Sequence, residues 1–86
     1  MAHHFVTMER YFFHVFNDEE TRDEDGQEFP DLAAARASAE RDCVSLAAHS
    51  ITEHGHLVLH HRIDIEDAAG ASVGTVRFSD VVDVQP

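Results

Sequence analysis

The stretch from residue 31 to residue 55 constrains this chain most, because its apolar spacing follows a helix over several turns. Small or apolar side chains recur on one face of that helix: Leu32, Ala35, Ala39, Cys43, Leu46 and Ala47. Asp31 is placed to accept hydrogen bonds from the free amides of the first turn, and Gly55 is placed to end the helix. Since alanine side chains are short, this face predicts a helix that lies close against a sheet.

Two strands are predicted before this helix. Residues 10–16 form an aromatic and β-branched run that favours a central strand with both faces largely covered. The pair Asp25-Gly26 favours a turn, and we expect a short second strand over residues 27–29. Together they predict a hairpin that leads into the helix.

Two further strands are predicted after the helix. Residues 57–66 alternate between apolar and polar side chains, as in a half-buried antiparallel strand. Residues 73–78 return as a fourth strand, with Val76 and Phe78 expected in the core.

The order of these elements predicts an α+β fold with two layers, a β-β-α-β-β antiparallel sheet with one helix packed on one face. We expect a single domain over residues 9–84, preceded by a flexible extension over residues 1–8. One helix does not cover both faces of such a sheet. The uncovered face and the sheet edges are therefore expected contact surfaces, most simply in a homodimer.

Charge excludes several classes of function. The 86 residues carry 17 acidic side chains against six basic ones, a net charge of −11. Binding to nucleic acid or to an anionic membrane depends on Lys and Arg, so neither partner is expected, whereas a basic protein partner is compatible. No apolar stretch reaches the roughly 20 residues of a membrane span, and no signal pattern opens the chain, so a cytoplasmic location is expected.

The acidic surplus is concentrated in residues 18–28, where seven of eleven side chains are acidic. An EF-hand alignment through Gly26 places Thr21 and Leu32 at the first and last ligand positions, where acidic ligands are needed. A calcium site is therefore not predicted. The segment is interpreted as a solvated loop or as a docking surface for a basic partner, and its candidate partner-binding residues are Asp18, Glu19, Glu20, Asp23, Glu24 and Asp25.

Eight histidines raise the question of metal binding. Imidazole is a common ligand of zinc and nickel, and His54, His56 and His60 would share one side of an extended strand. They are the candidate metal ligands, with exposed loop and strand histidines as the alternative interpretation.

No catalytic or cofactor-binding residue is predicted. His14 lies among aromatic residues and is interpreted as a core or interface histidine. Cys43 falls on the apolar helix face, where a thiol packs as a small hydrophobe.

Several motifs together resemble a family of small, uncharacterised bacterial proteins. They are the run Arg10-Tyr11-Phe12-Phe13-His14-Val15, the acidic turn that ends at Gly26, and Pro30-Asp31-Leu32 at the helix start. The resemblance implies the fold and its boundaries, with no activity attached. The segment Phe29-Pro30-Asp31-Leu32 with its alanine-rich helix also resembles antitoxins of the HicB type.

The sequence thus favours a non-enzymatic protein-interaction or regulatory module. Two alternatives stay open at this point: a histidine-based transition-metal-binding protein and a HicB-like antitoxin.

Overall fold

The computed structural model describes residues 7–85, which fold into a five-stranded antiparallel sheet with one long helix. The elements in chain order are β1 (Glu9–Phe16), β2 (Glu20–Thr21), β3 (Gln27–Phe29), α1 (Leu32–His54), β4 (Arg62–Asp67), β5 (Ser72–Arg77) and α2 (Phe78–Val81). The predicted α+β class is confirmed. Most of the extension expected over residues 1–8 lies outside the described residues.

β1 is central in the sheet, as predicted. One of its edges pairs with β4 along six residues, and β5 follows on the far side of β4. Its other edge is shared, because β3 pairs with the beginning of β1 and β2 with its end. The two-residue β2 was not predicted from the sequence.

α1 begins and ends where its capping residues predict. Asp31 Oδ1 accepts a hydrogen bond from the Ala34 N–H at 2.8 Å. Gly55 adopts the left-handed conformation with φ of 68°, and its N–H donates to the Ile51 carbonyl at 2.9 Å. His54, the last residue of α1, lies at the negative end of the helix dipole.

The core lies between α1 and one face of the sheet. Ala35, Ala39, Cys43 and Ala47 are all buried, and α1 packs against β4 and β5. The sheet contributes fully buried side chains such as Ile65 to the same cluster. The short side chains of α1 thus allow the close approach that the sequence predicts, although Leu32, expected on the buried face, is 38% exposed.

A cluster of three aromatic rings extends the core to β3. Phe29 stacks on Phe13 with ring centroids 5.7 Å apart and tilts against Tyr11 at 6.2 Å. These rings fix the short strand β3 to β1 where the backbone pairing alone is only three residues long.

Two predicted boundaries are wrong. The strand expected over residues 57–66 begins only at Arg62, and residues 57–61 form a turn in which the His61 N–H donates to the Val58 carbonyl. Phe78 is buried as predicted, but it opens the short helix α2 instead of ending a strand. Among residues 7–85, no helix has the length and apolar character needed to cross a membrane.

Candidate functional site

The sheet face opposite α1 has no covering layer among residues 7–85. Because side chains alternate along a strand, the cross-strand register assigns nine residues to this face. We call it the open face, and its members are Phe12, His14, Phe16, Arg62, Asp64, Glu66, Ser72, Thr75 and Arg77.

At one end of the open face, polar side chains are hydrogen-bonded to one another. Asp64 Oδ1 accepts a hydrogen bond from Arg62 Nε at 3.0 Å and another from Thr75 Oγ1 at 3.1 Å. The Arg62 guanidinium also lies 4.3 Å from the centre of the Phe16 ring, and that of Arg22 lies 5.9 Å from the same ring. This end of the open face therefore already holds a guanidinium between an aromatic ring and a carboxylate.

The centre of the open face is the buried imidazole of His14, which is 6% exposed. Its Nδ1 accepts a hydrogen bond from the Asp23 N–H at 3.1 Å, so the neutral ring carries its proton on Nε2. Nε2 lies 3.5 Å from Glu66 Oε2 but has no hydrogen-bond partner within the described part of the chain. The carboxylate of Glu66, whose side chain is 33% exposed, is thus oriented toward His14 without a direct hydrogen bond from it.

Asp23 attaches the β2–β3 loop to the edge of β1. Its Oδ2 accepts the Phe13 N–H at 3.1 Å, in the gap between the two segments of β1 that pair with β2 and β3. Its Oδ1 accepts the N–H groups of Asp25 and Gly26. Burial raises the pKa of Asp23, but these three hydrogen bonds outweigh burial, and the pKa lies below its ordinary value of 3.8.

Replacing Asp23 with asparagine is expected to lower the free energy of unfolding by about 2 kcal/mol, because the amide NH₂ group faces a backbone N–H. A folded-state pKa below the unfolded value means that the carboxylate stabilises the fold above the unfolded pKa. That contribution is lost as the pH falls through the folded pKa. Urea titrations should therefore show a difference between parent and variant that is largest near neutral pH and shrinks below pH 3.8.

Asp25→Asn is the matched control, because it changes an exposed neighbouring carboxylate in the same loop. It is expected to stay within about 0.5 kcal/mol of the parent. Equal effects of the two substitutions at every pH would contradict the attachment role of Asp23.

Cys43 lies on α1 and packs against the opposite face of the sheet. Its thiol is fully buried, 3.8 Å from the Val76 carbonyl oxygen. Burial, with a smaller contribution from Asp80, raises the pKa of Cys43 to about 11, so the group is a thiol at neutral pH. This position agrees with the packing role expected from the sequence.

The predicted partner-binding acids fall into two groups. Five of them are exposed on or beside the β1–β2 and β2–β3 turns: Asp18, Glu19, Glu20, Glu24 and Asp25. Asp23 differs, because both of its carboxylate oxygens are occupied by backbone N–H groups. Whether these acids bind a partner stays a prediction.

The structure does not gather the three candidate metal ligands. The rings of His54 and His56 stack 5.7 Å apart beyond the end of α1, whereas His60 lies against His61 with centroids 5.4 Å apart. Within residues 7–85, no three His, Cys, Asp or Glu side chains are grouped closely enough to hold a metal ion as they stand.

Sequence reasoning expected an uncovered sheet face but did not identify the residues that form it together, although part of the signal was present. The alternation of residues 57–66 correctly places Arg62, Asp64 and Glu66 on one side of a strand. The pairing of these residues with Phe12, His14 and Phe16 depends on the register between β1 and β4, which adjacent sequence does not specify.

Comparison with known proteins identifies a family but no activity. A family model described as "Domain of unknown function (DUF6894)" matches residues 10–79. No curated protein and no solved structure matches the chain significantly. The match confirms the resemblance to an uncharacterised family.

Proposed function

Because the chain belongs to this family of unknown function, we propose from the geometry that it is a non-enzymatic docking module. It binds an arginine- or lysine-rich segment of a protein partner on the open face. The observation that carries the proposal is the asymmetry of the fold, in which α1 covers one sheet face while the other combines aromatic rings, a buried histidine and carboxylates.

The apolar content of the open face supports a contact role. Phe12 and Phe16 are only partly buried, and they flank His14 on the same side of β1. A sheet face that is exposed to water alone more commonly carries polar side chains at most positions. A partner chain that covers these rings would remove their remaining apolar surface from water.

Charge complementarity supports a basic occupant. The acids of the β1–β2 and β2–β3 turns border the open face along the outer edge of β1, and they form a strongly negative rim with Arg22 as the one basic residue of residues 18–28. Such a rim attracts a cationic segment and repels an acidic one. A second copy of this chain, with a net charge of −11, matches the rim less well.

The position for a cationic side chain lies beside Glu66. At the other end of the face, Phe16 and Asp64 already hold the guanidinium of Arg62. Phe12 and Glu66 also combine a ring with a carboxylate, directly opposite each other in the β1–β4 register. An incoming Arg or Lys that contacts both would gain the same two kinds of contact that Arg62 makes with Phe16 and Asp64.

Two side chains with nucleophilic groups are held in other contacts, which favours a binding role. The Thr75 hydroxyl of the open face donates to Asp64, and the Cys43 thiol of α1 is buried against the sheet. The Asp64 carboxylate that accepts from Thr75 also accepts from Arg62, and the buried Cys43 is a thiol at neutral pH, so neither group is activated as a nucleophile.

The test measures, by fluorescence anisotropy, the binding of a labelled nine-residue peptide of alternating Arg and Val. We expect binding that weakens as salt rises, and an affinity about tenfold lower for Glu66→Gln, the loss of roughly one charged contact. Glu53→Gln is the matched control, because it removes one exposed carboxylate of the same type from α1.

A peptide with citrulline in place of Arg should not bind. Equal affinity of the Glu66 and Glu53 variants would overturn the proposed position of the cation. Light scattering on the same samples tests the other occupant, because a dimer that Glu66→Gln or Phe12→Ala dissociates would mean that a second copy covers the open face. The homodimer and the cytoplasmic location expected from the sequence stay predictions.

A further inference from the structure

A small cavity at the C-terminal half of α1 brings together histidines that the docking surface does not use. It lies between α1, the turn after β1 and the junction of β5 with α2, and its volume is about 50 Å³. Each water-sized site in such a cavity needs about 10–15 Å³, so it has room for an ion with bound water. Its polar lining residues are Asn17, Asp18, His49, Ser50, His54 and His61.

From this cavity we infer a binding site for one divalent transition-metal ion of the zinc, nickel or cobalt class. His61 Nε2 and the Asp18 carboxylate are its first two ligands, and a histidine of α1 is the third. This set differs from His54, His56 and His60, the ligands that strand alternation suggests.

His61 is the anchor of the site. His61 is buried, with 8% of its surface exposed. Its ring packs edge-on against that of Phe78, with the centroids 5.6 Å apart. Both backbone polar groups of His61 are hydrogen-bonded. Its N–H donates to the Val58 carbonyl, and its carbonyl accepts the Phe78 N–H. Packing therefore holds the imidazole in one orientation, which lowers the entropy lost on binding an ion.

The first two donors already stand near ligand spacing. His61 Nε2 lies 3.7 Å from Asp18 Oδ1. Zinc binds histidine nitrogen and carboxylate oxygen at about 2.0–2.2 Å, which in a tetrahedral site separates the two donors by about 3.4 Å. A shift of a few tenths of an ångström at the exposed Asp18 side chain is enough to close the difference.

The third donor requires a side-chain rotation. As they stand, the residues described here include no group of three donors close enough to hold a metal. His49 and His54 both line the cavity, and both are exposed side chains that are free to change rotamer. Their imidazoles and the Asp18 carboxylate suit the borderline metals of the zinc class.

The test measures Zn²⁺ and Ni²⁺ binding to the full chain by calorimetry, in a background where His3 and His4 are replaced by alanine. We expect one ion per chain and a loss of affinity of at least about tenfold in His61→Asn and in Asp18→Asn. One of the two substitutions His49→Asn and His54→Asn should have a comparable effect. His60→Asn is the matched control, because it removes the neighbouring exposed histidine outside the cavity.

Asp18→Asn keeps the proposal falsifiable if the buried His61 substitution impairs folding, because the Asp18 side chain is 74% exposed. Visible absorption of bound Co²⁺ provides a second measurement, since a tetrahedral site with nitrogen and oxygen ligands gives much stronger bands than the hydrated ion. Parent-like affinity in both Asp18→Asn and His61→Asn, or binding that requires His3 and His4, would overturn the site.

Discussion

Replacing Ile65 with alanine is expected to lower the free energy of unfolding by about 3–4 kcal/mol. Ile65 is fully buried beneath α1, and its Cδ1 reaches to 3.3 Å from the position that a Cβ on Gly74 would occupy. The buried residues of α1 are Ala35, Ala39, Cys43 and Ala47, whose short side chains do not reach into the space that the substitution creates. Because a domain of this size is stabilised by only about 5–10 kcal/mol, the variant should unfold at far lower denaturant concentration.

Ile51→Ala provides the matched control for Ile65→Ala. The same three carbon atoms are removed from a position on α1 that is 51% exposed. Chemical denaturation should place this variant within about 0.5 kcal/mol of the parent, because alanine also favours the helix. Comparable midpoints for the two variants would contradict the assignment of Ile65 to the core.

Replacing Gly26 with alanine is expected to cost about 3 kcal/mol, from two separate causes. Gly26 has φ of +70°, where any residue with a Cβ is strained. A Cβ at this position would also lie 2.9 Å from the Arg10 Cγ, the Phe12 Cε1 and the Tyr11 carbonyl oxygen. The turn would have to lift away from β1, and with it the Asp23 contacts at the edge of the open face.

Gly70→Ala separates the two causes. Gly70 has φ of +86° in the turn between β4 and β5, and a Cβ there would meet nothing within 4 Å. Thermal or chemical denaturation should give a loss of only about 1 kcal/mol, the backbone strain alone. If Gly26→Ala cost no more than Gly70→Ala, the close approach of the turn to β1 would be contradicted.

Local sequence signals predicted the parts of the fold that depend on local interactions. Asp31 and Gly55 mark the ends of α1 because capping involves only neighbouring backbone groups. The aromatic run of β1 and the turn at Gly26 are local signals of the same kind.

The missed start of β4 has a non-local cause. Residues 57–61 continue the alternation of a strand, but β1 ends at Phe16, which pairs with Arg62. Arg77, the last residue of β5, pairs with the same Arg62. On the N-terminal side of Arg62, the backbone has no strand on either side with which to pair, so residues 57–61 form a turn instead.

The site was predictable only in part, for the same reason. Composition located the acidic rim, since it lies within residues 18–28. It did not distinguish Asp23, whose carboxylate is engaged by the backbone of β1, from the exposed acids around it. The contact between His14 and Glu66 joins residues 52 positions apart in the chain, and only the sheet register reveals it.

The structure links the fold directly to the proposed docking site. The same three hydrogen bonds that lower the pKa of Asp23 hold the acidic loop along β1, beside Phe12 and His14. Variants that release the loop, such as Gly26→Ala and Asp23→Asn, should therefore weaken peptide binding in proportion to the loss of local order, while Gly70→Ala should not.

Amide chemical-shift mapping of the ¹⁵N-labelled chain, titrated with the Arg-Val peptide, tests the proposed docking function most directly. We predict that the largest changes fall on Phe12, His14 and Glu66 and on the adjoining loop around Asp23, and that Glu66→Gln reduces them at equal peptide concentration. Changes confined to α1 and α2, on the opposite side of the sheet, or none at peptide concentrations up to the millimolar range, would contradict it.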